Sequence, residues 1–203
     1  LEQPLDAETI RVLIMDNGFK QIFHDTIEIT ANCDGEMVYE KENGDHESSS
    51  FKKGDTFTFE ATDKKLEKGR MTLKPEDGEG IIVTSLERGQ GQPVYSGSME
   101  VKAEEGGLVL INELYLEDYL KKVVPSEMPA SYEKEALKAQ AVCARTYAYR
   151  QIQGNAYGQY GAHVDDSTSF QVYNNINTSE RTDQAVNETY GQMLFYNNKI
   201  GRA

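Results

Sequence analysis

Residues 117–152 read EDYLKKVVPSEMPASYEKEALKAQAVCARTYAYRQI, and this stretch decides the fold and the function of the chain. It holds the longest helical pattern in the sequence. Leu137, Ala141, Ala144 and Ala148 recur at helical spacing, which predicts a helix whose mostly small-residue face lets another element approach closely. Ser131 is the expected N-cap, with Glu133 and Glu135 in a first turn where the helix dipole favours acids. Lys138 and Arg145, seven residues apart, share a second face. Two cations so aligned could hold an anionic or hydroxyl-rich ligand, or simply form a solvated surface. Arg145 also has a second reading, as a buried partner for an acid such as Glu117 or Glu113.

Just upstream, Pro125-Ser126-Glu127-Met128-Pro129 sets one acid between two prolines. Each proline fixes its own φ and biases the residue before it away from the helical region, which predicts a stiffened turn. Val123-Val124 add an apolar neighbourhood, and such surroundings favour the neutral, proton-donating form of a carboxyl. Glu127 thus reads as a catalytic acid or as a cap of the following helix. A short helix, 116–124, leads into this turn. Tyr115 and Tyr119 are spaced to share its face, either lining a sugar groove or packing in the core.

The run from Leu110 to Arg150 resembles the core motif of the stage II sporulation protein D / amidase enhancer family. ELYLEDYL, VVPSEMP and EALKAQAV-ARTYA occur in its order and spacing, and FQVYNN and TDQAVNETYGQMLFYNNKI continue a weaker match. The resemblance implies a lytic transglycosylase acting on peptidoglycan glycan strands, with 1,6-anhydro ends as product, in cell-wall remodelling during engulfment. It puts the single catalytic glutamate at Glu127. Lys138 and Arg145 fall on positions of substrate contact, and Gln171 and Tyr173 on a Gln-x-Tyr segment lining the groove. The amidase enhancer branch implies an alternative, a non-catalytic peptidoglycan-binding scaffold that stimulates a cell-wall amidase. The implied partners are glycan strands and a cell-wall amidase or endopeptidase such as stage II sporulation protein P.

Some family members carry cysteines and a histidine suited to zinc after the long helix. Here Asp165, Ser169 and Phe170 stand in that stretch and His163 is alone, whereas a zinc site needs about three nitrogen or sulfur ligands. No metal and no cofactor are expected. The family also implies a place on the cell-wall side of the membrane. The chain opens on Leu1-Glu2-Gln3-Pro4, so a membrane anchor is expected in an N-terminal segment outside this sequence. Family members continue past the equivalent of Ala203 with more sheet, and the catalytic part is expected to lack that C-terminal end here.

The remaining sequence fits an α+β chain with mixed sheets, the long helix central to the catalytic part and a β-rich part before it. Thirty-four acids against 21 bases give a net charge of −13, which excludes a nucleic-acid binder relying on a basic footprint. Ile27 to Thr30 and Thr56 to Phe59 alternate as half-buried strands do, and Ile10 to Ile14 read as a buried strand. Residues 40–47 and 63–70 read as solvated charged surface. The polar, glycine-rich Glu87 to Pro93 is the expected boundary, dividing residues 1–93 from a catalytic core of 94–203. Val94 to Val101 reads as one strand, and Gly154 to Gly161 as a mobile loop with exposed tyrosines. Thr178 or Ser179 is expected to cap a helix ending near Glu188. Cys143 reads as a small buried residue, and a bridge to Cys33 is not expected.

Overall fold

The computed structural model describes residues 8–201 and is an α+β structure. In chain order the strands are β1 (Thr9–Ile14), β2 (Thr26–Ala31), β3 (Gly35–Lys41), β4 (His46–Phe51), β5 (Thr56–Glu60), β6 (Gly69–Pro75), β7 (Ile81–Val83), β8 (Val94–Tyr95), β9 (Ser98–Glu104) and β10 (Gly107–Tyr115). Helices α1 (Leu116–Glu127) and α2 (Lys134–Ile152) follow, then β11 (Val164–Asp165), α3 (Glu180–Glu188), β12 (Phe195–Tyr196) and β13 (Lys199–Ile200). None of these helices is long and apolar enough to cross a membrane. Cys33 and Cys143 are both free thiols, and Cys143 is half-buried rather than buried.

The chain forms two compact units, one of Val12–Glu113 and one joining the residues up to Arg11 to those from Leu114 onward. The division expected at 93/94 falls inside the first unit. The reason is strand pairing: β9 runs antiparallel to β6 and also to β10, from Gly107↔Glu104 to Glu113↔Ser98. β9 and β10 therefore complete a sheet begun before Pro93, and β8 pairs with β7.

The Val12–Glu113 unit holds that sheet, with β10, β9, β6, β3 and β4 side by side, and a second sheet in the order β5-β2-β7-β8. The alternation in β2 works as read: Ile27 and Ile29 are fully buried while Thr26 and Glu28 are exposed. The acidic stretch 40–47 is a turn, residues 42–45, between two strand ends. Its ends pair in the β3–β4 hairpin (Glu40↔His46), although β4 is exposed up to Phe51, which explains the polar sequence. The strand expected over 94–101 breaks at Gly97, whose φ of 75° leaves the β region.

In the other unit α2 packs against α1 and α3. Leu137, Ala141, Ala144 and Ala148 are buried as their spacing predicts. α2 begins after Glu133, not Ser131, because a turn closed by Tyr132 N–H on the Pro129 carbonyl (3.1 Å) occupies residues 129–132. α1 runs past Val124 and through Pro125 to Glu127. Proline lacks one N–H, and so near the end of a helix the loss is a single bond. Ser179 caps α3, and Thr182 returns the bond in a capping box. β12 and β13 form a hairpin turned by Asn197 and Asn198, both left-handed (φ 49° and 58°), the backbone of a type I′ turn.

Candidate functional site

Glu127 is the last residue of α1, and its side chain is exposed. Val123, Val124 and Pro125 beneath it are buried, but they face the core. The apolar shelter expected for the carboxyl therefore stops one residue short of it. What fixes Glu127 is polar: the Val172 N–H donates to Oε1 at 2.6 Å. Oε2 has no hydrogen-bond partner among the described residues.

Val172 belongs to a strap, residues 171–176, laid across the last turn of α1. Asn174 N–H donates to the Lys122 carbonyl (3.1 Å). Ser126 Oγ accepts from the N–H groups of Asn175 (3.1 Å) and Ile176 (3.2 Å) and donates to the Lys122 carbonyl (2.9 Å). Lys122 lies five residues before the end of α1, so the strap is tied to the body of the helix as well as to its last residue. After Glu127, Arg181 of α3 donates to the carbonyls of Ala130 (2.9 Å) and Tyr132 (2.8 Å). Hydrogen bonds thus tie down both the strap and the segment that follows the acid in sequence.

Gln171 and Tyr173 were expected to line the groove. Instead both are buried. Tyr173 stacks on Tyr119 with centroids 5.0 Å apart and planes 26° from parallel. The Tyr119 hydroxyl donates to Gln171 Oε1 (3.3 Å), and Gln171 Nε2 donates to the Ala144 carbonyl (3.4 Å). These two residues anchor the strap to α1 and α2 from inside. Burial, with the nearby charges of Glu127, Asp165 and Asp166 adding to it, holds the Tyr119 phenol well above its usual range. Tyr115 and Tyr119 do not share a face: Tyr115 is 56% exposed and Tyr119 is buried, because Tyr115 is the N-cap, with extended backbone.

The two cations part company in the same way. Arg145 is wholly buried. Its guanidinium forks onto the Glu117 carboxylate, with Nε to Oε1 at 2.7 Å and Nη2 to Oε2 at 2.8 Å. It also donates to the carbonyls of Val186 and Gln192, each at 3.2 Å. The expectation that Arg145 contacts substrate is corrected: its fork is used up joining α1, α2 and the end of α3. Lys138 does reach the surface, where its Nζ lies 3.2 Å from Glu135 and 3.8 Å from Glu188. The hydrogen bond from Lys134 holds the Glu188 carboxyl below its usual range.

The stretch 154–161 is held rather than loose. The Tyr157 hydroxyl donates to Asp165 Oδ2 at 2.7 Å, and its ring packs on those of Phe170 and Tyr160. Burial first, then this bond, pushes the Tyr157 phenol far up. Asp165 Oδ1 accepts from the Ser167 N–H (2.8 Å) and hydroxyl (2.6 Å). His163 Nδ1 accepts from the Arg11 N–H at 3.0 Å. These donors and acceptors are spent on the fold, and among the described residues no three His, Cys, Asp or Glu side chains converge.

Three site residues escape a reading of the sequence: Ser126, Val172 and Asn174. Val172 acts through its backbone and carries no signal. Asn174 is left-handed (φ 55°), a conformation asparagine tolerates, and the pair Asn174-Asn175 was the available hint of a turn.

Residues 104–196 match the family model described as Stage II sporulation protein, a span that contains Glu127, Lys138, Arg145 and the strap. The chain is 44% identical to the amidase enhancer of Bacillus subtilis over 81 residues, 40% of this chain and 10% of that protein. It is 40% identical to stage II sporulation protein D of Bacillus subtilis over 103 residues, 44% of this chain and 30% of that protein. An uncharacterized protein of Brachyspira hyodysenteriae is 41% identical over 128 residues, 62% of this chain and 32% of the relative. The chain spans about a third or less of the length of these curated relatives.

Proposed function

Because the chain belongs, through residues 104–196, to the stage II sporulation protein D / amidase enhancer family, we propose that it is a lytic transglycosylase of bacterial peptidoglycan with Glu127 as its sole acid and base. The observation that carries this reading is the carboxylate itself, exposed at the end of a helix, pinned through one oxygen and open at the other.

Hydrolytic glycosidases use two carboxylates because water must be activated. A transglycosylase needs one. Protonated Glu127 gives its proton to the glycosidic oxygen leaving C1 of N-acetylmuramic acid, and that C–O bond breaks. The carboxylate so formed takes the proton of the same sugar's C6 hydroxyl. O6 then bonds to C1, closing the 1,6-anhydro ring, and Glu127 is protonated again. No water is consumed. The Val172 N–H holds Oε1 in place through both stages of the cycle. Lys138, on the surface of α2, is the cation left to meet the muramic lactyl group or the acetamido oxygens. The substrate sets the enzyme on the cell-wall side of the membrane, in wall remodelling during sporulation.

One observation favours a second reading. A relative 44% identical over the matched segment is named amidase enhancer, and a net charge of −13 would steer this chain to a basic partner. The chain would then be a peptidoglycan-bound scaffold for a cell-wall amidase. Digestion of purified glycan strands, read by mass spectrometry for anhydro-muramyl ends, separates the two. The transglycosylase produces such ends, and Glu127→Gln lowers their yield at least about 100-fold, the scale of general acid–base catalysis, with folding intact. Full activity in that variant would overturn the assignment. Intact strands together with a stimulated amidase would establish the scaffold.

A further inference from the structure

We propose that Ser126 is a positioning residue for Glu127: its hydroxyl latches the 171–176 strap to α1, holds the Val172 N–H on Oε1, and so leaves Oε2 as the oxygen that exchanges protons with the substrate. The inference rests on the catalytic reading of Glu127 for its activity arm only; the latch stands on geometry.

A serine hydroxyl has one hydrogen and two acceptor positions. All three are occupied here, by the Lys122 carbonyl and by the N–H groups of Asn175 and Ile176. Two successive backbone N–H groups converge on one oxygen because the chain turns at left-handed Asn174, whose own N–H goes to Lys122. Ser126 and Glu127 are neighbours on the last turn of α1, and the residues they bind, Val172 and Asn175–Ile176, are neighbours on the strap. The two attachments are therefore one register. If the serine end is released, Asn175 and Ile176 lose their acceptor and the strap can slide along the helix end.

Glu127 depends on that register. An exposed glutamate at a helix end has several rotamers open to it, and a single bond of 2.6 Å selects one. Tyr173 and Gln171 anchor the strap from the interior, on Tyr119 and the Ala144 carbonyl. A helix-terminal serine could also serve only to satisfy carbonyls, without consequence for the acid. The two roles separate experimentally, because the first moves Val172 and the second does not.

The test compares Ser126→Ala with Ser126→Thr, which keeps the hydroxyl. Amide hydrogen exchange followed by NMR reads the latch, and initial rates of anhydro-end formation read its consequence. In Ser126→Ala, Val172 is expected to exchange at least tenfold faster while Val123 within α1 stays protected. kcat is expected to fall by up to about 100-fold, the cost of a misplacement near 1 Å, with KM within about twofold. Ser126→Thr restores both. Unchanged exchange at Val172 in Ser126→Ala, or faster exchange with kcat unchanged, overturns the proposal. If the wild-type protein forms no anhydro ends, the transglycosylase reading fails, and exchange at Val172 alone decides the latch. Should the alanine variant not fold, Ser126→Cys, a weaker acceptor, carries the same expectations at smaller amplitude.

Discussion

Replacing Arg145 by lysine preserves its charge and removes its shape, and the structure sets the size of the result. Arg145 donates to Glu117 twice, to the carbonyls of Ala141, Val186 and Gln192, and to the Thr189 hydroxyl. A lysine ammonium has three donors at one point and cannot span partners that lie on α1 and beyond the end of α3. Contacts to a charged group contribute about 1.5–3 kcal/mol each, and lysine recovers some of them, so a net loss of about 3 kcal/mol is expected. For a chain of this length about 1 kcal/mol moves the melting temperature by about 2–4 °C, which gives a drop of about 6–12 °C. Glu117→Gln strands the buried guanidinium without its anion and should cost about 3–5 kcal/mol. Replacing both residues by apolar ones should cost less than either single change, because no buried charge is then left alone. The assay is thermal unfolding by far-UV circular dichroism beside glycan affinity at a temperature where every variant is folded. An unchanged melting temperature in Arg145→Lys with affinity about tenfold weaker would refute the reasoning and return Arg145 to the substrate.

Two further outcomes follow from the site. Lys138→Gln should weaken glycan binding several-fold while shifting the melting temperature by no more than about 2 °C, since exposed ion pairs contribute about 0–1 kcal/mol; unchanged binding would remove Lys138 from the site. The phenols of Tyr119 and Tyr157 are both raised by burial, so the folded state keeps protons that the unfolded chain releases above about pH 10. Their contribution to stability is complete below that pH and is lost as the pH climbs toward the folded values. The urea midpoint should accordingly fall above about pH 10, and less steeply in Tyr157→Phe; equal slopes in both proteins would show that Tyr157 titrates freely.

What could be read from the sequence was whatever depends on near neighbours. The alternation of Ile27 and Ile29, the small face of α2 and the cap at Ser179 are local patterns, and each forms as its spacing dictates. Glu127 was singled out by its two prolines. Its surroundings were not legible, since Val172 reaches it from 45 residues away and through the backbone. Arg145 failed as a surface cation for the same reason: helical spacing gives the face a residue occupies but not what covers it, and Glu117 and the end of α3 cover this one. Gln171 and Tyr173 flank the residue that binds Glu127 but face Tyr119, and nothing in the sequence says which way they turn. The 154–161 segment reads as glycine-rich and loose until Asp165 supplies a partner for Tyr157.

The Val12–Glu113 unit is one unbroken run of chain, while the unit bearing Glu127 takes its edge from the start of the sequence. Arg11 and His163, bonded to each other through the Arg11 N–H, are 152 residues apart. During synthesis the unbroken unit can fold as soon as it leaves the ribosome. Arg11 must wait for its partner His163 until the helices and β11 have been made. Closing a loop of that length costs about 4.5 kcal/mol of chain entropy, less whatever the folded intervening unit has already removed. The order of manufacture thus makes the glutamate-bearing half the last to become competent. It also makes Arg11, remote in sequence from every residue of the site, a place where a change would silence the protein without touching its chemistry.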